Sequence, residues 1–196
     1  MNNRINLRQT SLLLGMTALI FIASIFVVSS LLFLAGVHIT PFHLPIALLV
    51  TMLFTWFAGR TYFPDHKIKA LAAVWIGFAA MFFLFLWISG QFYDLSYDGQ
   101  TYHQEAIIHL KKNGWNPVYD APLKLGTGQD IWINHYAKMA EICAASLYTL
   151  TGHIELSKMF NLLLIGGSFF ISLAALLYMN EAKKRHARLR LLFCSL

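Results

Sequence analysis

Charge is scarce in this chain, and cysteine scarcer still. Charged residues make up 12% of the 196 positions against 58% hydrophobic ones, a ratio that leaves a water-soluble domain of this length too little polar surface to cover its core. A soluble globular domain is excluded, and the chain reads as an integral membrane protein. The two cysteines, Cys143 and Cys194, leave no disulfide framework and no CxxC metal site. Internal repeats, low-complexity tracts and a linker that would set off a soluble domain are missing as well.

What fills the chain is apolar sequence. Four runs are long enough to cross a hydrocarbon core of about 30 Å at roughly 20 residues each: Ser11 to Gly36, Phe42 to Ala58, Ile68 to Ser89, and Lys158 to Met179. The second is the shortest and carries Pro45 near its start. Arg4 and Arg8 precede the first run as in a secretory signal, but that run exceeds the roughly 7 to 15 apolar residues of a signal core, and no clean small-x-small site follows it. It is read as a retained anchor. The expected fold is an all-α polytopic membrane protein, with three transmembrane helices in residues 1–89 and a large extracytoplasmic loop over 90–157. A fourth transmembrane helix and a basic cytoplasmic tail occupy 158–196.

The cations set the expected orientation. Arg4, Arg8, Arg60, Lys67, Lys69, Lys183, Lys184, Arg185, Arg188 and Arg190 all fall on one side if the chain crosses four times, whereas the turn from Val37 to Pro41 has none. Both termini are therefore expected in the cytoplasm and the long loop outside, where its own lysines count little. With ten of the fifteen cations on that rim, the net charge of +6 describes contact with anionic lipid and excludes a nucleic-acid surface. The same topology sets Cys143 and Cys194 on opposite sides of the membrane, where they cannot pair within one chain.

Seven of the nine acids lie between Asp94 and Glu155, so the loop is where chemistry is expected. It opens Asp94-Leu-Ser-Tyr-Asp98-Gly-Gln-Thr-Tyr102-His103-Gln-Glu105. The spacing of Tyr102, Ala106 and Leu110, with Ile107 beside them, predicts an amphipathic helix over Gln100 to Lys112 that stops at Asn113-Gly114. Pro117, Pro122, Gly126 and Gly128 make the next stretch an irregular crossing. Asp130 is then placed as the cap of a second helix, Ile131 to Leu150. Both helices are expected to lie on the outer membrane surface as amphipathic elements.

These stretches carry a family resemblance. Asp98-Gly-Gln-Thr-Tyr102-His103-Gln just after a transmembrane helix, then His135-Tyr-Ala-Lys138, then Thr151-Gly152 through Lys158-Met-Phe-Asn161, resemble the first outward loop of the GT-C superfamily of membrane glycosyltransferases, over roughly residues 91–161. The resemblance implies transfer of a sugar from a polyprenyl-phosphate-linked donor to a glycan, lipid or protein acceptor on the outer face of a bacterial inner (plasma) membrane. Its implied partners are that donor and membrane lipid. GT-C members usually have a single helix before the catalytic loop and more helices in total, so the chain is read as an amino-terminal portion with an added pair of helices in front. Its ending, Leu189 to Leu196, has the look of a further apolar segment beginning.

Glycosyl transfer explains why acids belong in such a loop. An inverting transfer needs a carboxylate to take the acceptor hydroxyl proton, and the leaving phosphate needs cations to absorb its charge. Asp98 is the expected base. Asp94 lies four residues earlier, so a helical junction sets it on the same face, where it raises its neighbour's pKa or shares a divalent ion of the Mg or Mn type. The spacing is not a tight DxD, and no metal ligand is assigned. Tyr102, His103 and Glu105 are the expected sugar contacts, and Lys138 and Lys158 the expected phosphate contacts.

Each has a plainer counterpart. Asp98-Gly99 at a helix exit is, by itself, a turn or cap, and the Tyr102-His103 pair in register is what favours function. His103, His109, His135 and His153 lack the spacing of a zinc site. Lys111 and Lys112 suit the dipole at the end of a surface helix, and Lys138 and Lys158 suit snorkelling. Trp115, Tyr119 and Trp132 serve either as a stacking platform for sugar rings or as interfacial anchors. Gly166-Gly167 reads as a packing notch. The alternative function is a non-catalytic assembly or transport subunit whose outer loop docks a partner.

Overall fold

The computed structural model describes residues 6–63, 67–126 and 128–193. Arg4 and Cys194 lie outside the described residues, as do the side chains of Lys67, Lys184, Arg185, Arg188 and Arg190. The chain runs through α1 (Leu7–Leu34), α2 (His43–Tyr62) and α3 (Lys67–Ser89) into the long loop. There a π-helical turn, Gly99–His103, continues into α4 (Gln104–Lys112). After α5 (Asp130–His135) and α6 (Met139–Thr151), a 3-10 turn, Ile154–Lys158, leads into α7 (Met159–Phe193).

Among the described residues, four stretches are long and apolar enough to cross a membrane: Leu7–Leu34, His43–Tyr62, Ile68–Ser89 and Ile154–Asn180. They coincide with the four apolar runs to within a few residues. The helix of the last one does not stop where the apolar run ends at Met179; α7 continues to Phe193, because the segment that follows holds Ala, Lys, Arg and Leu and no Gly or Pro to break it.

Helix α1 is the hub of the bundle, packed against α2, α3 and α7. Lipid tails are as apolar as leucine, so such helices associate through close packing and polar contacts. Both occur here. A Cβ on Gly15 would lie 2.6 Å from the Gly167 carbonyl oxygen, and one on Gly167 would meet Ala18 and Gly15 at 3.2 Å, so α1 and α7 cross backbone to backbone. Gly166 faces Met81 and Phe85 of α3 in the same way. The glycine pair is thus a notch used within the chain. The buried hydroxyls of Thr17 and Thr55 meet at 3.3 Å between α1 and α2, and Phe21 stands edge-on to Phe78 at 5.4 Å between α1 and α3. On the outside, Phe57, Ile76, Phe83 and Ile165 remain largely exposed, a face that suits lipid and not water.

The long loop folds over the end of the bundle where α1 stops and α2 starts. Its Asn116 amide and Tyr119 hydroxyl donate to the carbonyls of Phe33 (3.0 Å) and Leu34 (2.7 Å), in the last turn of α1, where the carbonyls lack the i+4 partner of the helix interior. Trp115 is buried beneath them, with its indole nitrogen donating to the Ala121 carbonyl at 3.2 Å. Trp115 and Tyr119 are therefore structural fasteners.

The second loop helix differs from the expected one. Ile131 to Leu150 is two helices, separated at Tyr136, whose backbone is extended (φ −67°, ψ 145°). Asp130 does not cap it; Gln129 holds that position, and the Asp130 carboxylate accepts from the Leu125 amide at 2.7 Å to tie down the preceding loop. Helix α6 is no surface element either. Glu141 through Leu147 are buried, and Cys143 and Leu147 join the core of the bundle.

Candidate functional site

A cavity of about 600 Å³ opens at this end of the bundle. Its ionisable wall residues are Asp94, Asp98 and His103 from the start of the loop, Glu141 from α6, and Glu155 and Lys158 from the 3-10 turn. Ile22 of α1, Ile107 of α4, and Phe160 and Leu164 of α7 supply the apolar wall. The site is therefore amphipathic, with acids on the loop side and bundle side chains beneath.

Asp94 and Asp98 reach it by different routes. Residues 93–96 are not helical, so the two carboxylates are not stacked on one helix face as the four-residue spacing predicts. Asp94 instead closes a turn over the next helix. Its Oδ1 accepts from the Ser96 amide (2.9 Å) and hydroxyl (2.7 Å), and that hydroxyl oxygen accepts from the Gly99 amide at 3.0 Å. Gly99 is required by this turn, since a Cβ there would fall 2.1 Å from Asp94 Oδ2. The Ser96 hydrogen bonds hold the Asp94 carboxyl below its ordinary range, with smaller help from Lys158 and His103.

The turn is tied across the loop. The Asp94 amide donates to Glu155 Oε2 at 3.0 Å, and the same oxygen pairs with the Lys158 ammonium at 2.6 Å. Lys158 also donates to the Phe92 carbonyl. Lys158 thus reaches the cavity with its charge already engaged.

Asp98 is exposed at the cavity rim. Behind it stands Tyr102, buried and stacked on Tyr136 at 5.4 Å with ring planes 3° apart. Trp132 extends the stack, 5.8 Å from Tyr136. Burial, then the neighbouring Asp98 carboxylate and the Tyr136 phenol, push the Tyr102 phenol up to about 12, so its hydroxyl stays protonated as a donor beside Asp98. Tyr102 itself does not line the cavity. Of the three proposed stacking residues, Trp132 alone belongs to this aromatic row.

His103 lines the cavity with its Nδ1 2.8 Å from Glu141 Oε1. Glu141 is 2% exposed, and its second oxygen has no hydrogen-bond partner among the described residues. Glu141 and Glu155 are the wall residues that the sequence reading did not single out. An acid within an otherwise apolar helix is the same signal that marked Lys138 and Lys158, and it was present in α6 as well. Three expected contacts do not line the cavity: Tyr102, Glu105 and Lys138. The Lys138 ammonium donates to the Tyr136 carbonyl at 3.1 Å; burial lowers its pKa, and Glu141 opposes that shift.

Four carboxylates against one paired lysine make the wall acidic. Such a wall favours hydroxyl and cationic groups, while a phosphate enters only together with positive charge. Among the described residues no group of three or more His, Cys, Asp or Glu side chains is arranged to hold a metal ion. A Mg-type ion needs fewer protein ligands, because it keeps several waters and takes one or two carboxylates together with substrate phosphate. No family model, curated protein or solved structure matches this chain.

Proposed function

We propose that the chain is a GT-C type glycosyltransferase, or the amino-terminal portion of one, moving a sugar from a polyprenyl-phosphate donor to a glycan, lipid or protein acceptor. The observation that carries this reading is the amphipathic cavity, where acids meet apolar side chains of α1 and α7. That is the chemistry of a lipid-linked sugar, an apolar chain joined to a polar head. The loop is read as outside and both termini as cytoplasmic, since Arg60, Lys69 and Lys183 lie toward the helix ends away from the cavity. In the transfer, the acceptor oxygen attacks the anomeric carbon, the bond from that carbon to the phosphate oxygen breaks, and Asp98 takes the hydroxyl proton. The polyprenyl phosphate leaves with the bonding electrons. Lys158, with Lys138 near the rim, is the source of countercharge, and a Mg or Mn ion would add to it when bound.

The test is binding of a photoreactive polyprenyl-phosphate sugar by the native protein in liposomes. Crosslinks within 94–104 and 155–164, competed by unlabelled donor, are expected; crosslinks confined to the lipid-facing sides of α2 and α3 would count against the reading. A second reading, a docking subunit, is favoured by one feature: Phe92, Tyr93, Leu95 and Tyr97 are 66%, 81%, 83% and 70% exposed. In that case alanine at these positions releases a co-purifying partner and the donor leaves no crosslink.

A further inference from the structure

Three features carry no step of the proposed transfer: the row of exposed aromatics after α3, the buried His43 pair with Ser29, and the buried Glu141 behind His103. The first continues a membrane span, and the second closes the α1–α2 hairpin with Nδ1 3.0 Å from the Ser29 hydroxyl. The third has no structural account.

Glu141 lies in the first turn of α6, where its charge suits the helix dipole. An acid in that turn commonly reaches back to the helix's own first amide. Here it reaches across to the π-helical turn that leads into α4 instead, with one oxygen on His103 Nδ1 and the other buried without a partner among the described residues. The packing of α4 on α6 does not need it, since Ile107, Leu110, Ile142 and Ala145 already form one apolar cluster. A buried carboxylate left half satisfied is a burden on the fold, which apolar replacement usually relieves.

We propose that Glu141 is a positioning residue for His103. A carboxylate only accepts, so the proton between the two sits on Nδ1. In the neutral ring, a proton held on Nδ1 makes Nε2 the acceptor, the nitrogen left for a ligand at the cavity wall. The group it receives is a hydroxyl, either of the donor sugar or of the acceptor. This last step rests on the glycosyl-transfer reading; the orientation of His103 does not.

The two parts are tested separately. Nitrogen-15 spectra of histidine-labelled native protein in nanodiscs, at about pH 8.5, two units above an ordinary imidazole, are assigned by the signal lost in His103→Gln. The wild type is expected to show His103 with its proton on Nδ1. Glu141→Leu should move it to Nε2 while thermal stability holds or rises, and Glu141→Gln, whose amide oxygen still accepts, should keep the Nδ1 form. A proton on Nε2 in the wild type, or no change in Glu141→Leu, overturns the proposal; should Glu141→Leu not fold, the wild-type spectrum and Glu141→Gln decide. In the second arm, undecaprenyl phosphate glucose should shift the Nε2 signal, and bare undecaprenyl phosphate should not. Equal shifts from both would mean that Nε2 reads phosphate and would overturn the hydroxyl assignment. If neither lipid binds, the glycosyl-transfer reading and the hydroxyl assignment fail together, while the spectra still decide the positioning of His103.

Discussion

Glycine to alanine at two positions of the bundle should shift stability in opposite directions. At Gly15 a new Cβ meets the Gly167 carbonyl oxygen at 2.6 Å, the Ile171 side chain at 2.8 Å and the Ile171 backbone nitrogen at 3.0 Å. Two of the three are backbone atoms of α7, so relief requires the helices to part. Overpacking of this kind costs about 1–3 kcal/mol, offset by about 1 kcal/mol of helix propensity gained on replacing Gly. With backbone in the way, the net loss should be about 1–2 kcal/mol. At Gly77 the nearest atoms are the two Leu14 methyls at 3.3 and 3.6 Å, which can rotate aside, so the propensity gain dominates and Gly77→Ala should be neutral or stabilising by up to about 1 kcal/mol. Unfolding of both variants in mixed detergent and SDS micelles measures the difference. If Gly15→Ala matches the wild type, or Gly77→Ala is the less stable of the two, the α1–α7 crossing described here is wrong.

Because the Tyr102 phenol is raised from 10.0 to about 12, the folded state favours its protonated form; stability is unaffected below the ordinary value and lost as pH climbs from about 10 to about 12. Difference absorbance of Tyr102→Phe against wild type should place this phenol's titration late, and a midpoint at the ordinary value would refute its burial beside Asp98. Asp94 has the opposite sign: its lowered pKa contributes stability above the ordinary carboxyl value of 3.8 that disappears as pH falls through the folded value. The gap between wild type and Asp94→Asn in denaturation midpoint should therefore close in acid, and a gap constant with pH would remove the Ser96 contacts as its cause. Cysteine placed at Asp120 should label from outside the cell and at Thr61 only from the cytoplasm; the reverse pattern would invert the orientation. Lys158→Gln should weaken binding of the lipid-linked donor more than Lys158→Arg, which keeps the charge, whereas equal affinity in both would leave Lys158 as the partner of Glu155 alone.

The spans were legible because run length is a property of the sequence itself, and a hydrocarbon core filters for it. The helical stretch from the π-helical turn through α4 was legible too, from the spacing of Tyr102, Ala106 and Leu110. The break between α5 and α6 was not, for no Gly or Pro stands at Tyr136-Ala137-Lys138; it is made by tertiary contacts, with Tyr136 stacked on Tyr102 and its carbonyl held by Lys138. Asp94 carried a readable sign that was overridden. An Asp two residues before a Ser, ahead of a helix, is a turn and cap pattern, and it competes with reading Asp94 and Asp98 as one helix face. Asp98, His103 and Lys158 do converge, but the partners that define them, Tyr102 for Asp98, Glu141 for His103 and Glu155 for Lys158, include two acids brought in from 38 and 3 residues away. Only the folded loop reveals the first of these.

In the proposed transfer, Asp98 takes the proton of an acceptor hydroxyl at this cavity. Asp98→Asn keeps the size of the side chain and removes its capacity to accept a proton. Transfer of labelled sugar from polyprenyl phosphate, measured with the native protein in liposomes, should fall about 10²-fold or more in this variant, while membrane insertion and thermal stability stay at the wild-type level. Retention of more than about a tenth of the wild-type rate would contradict this role and leave Asp98 only the acceptor for the Tyr102 hydroxyl.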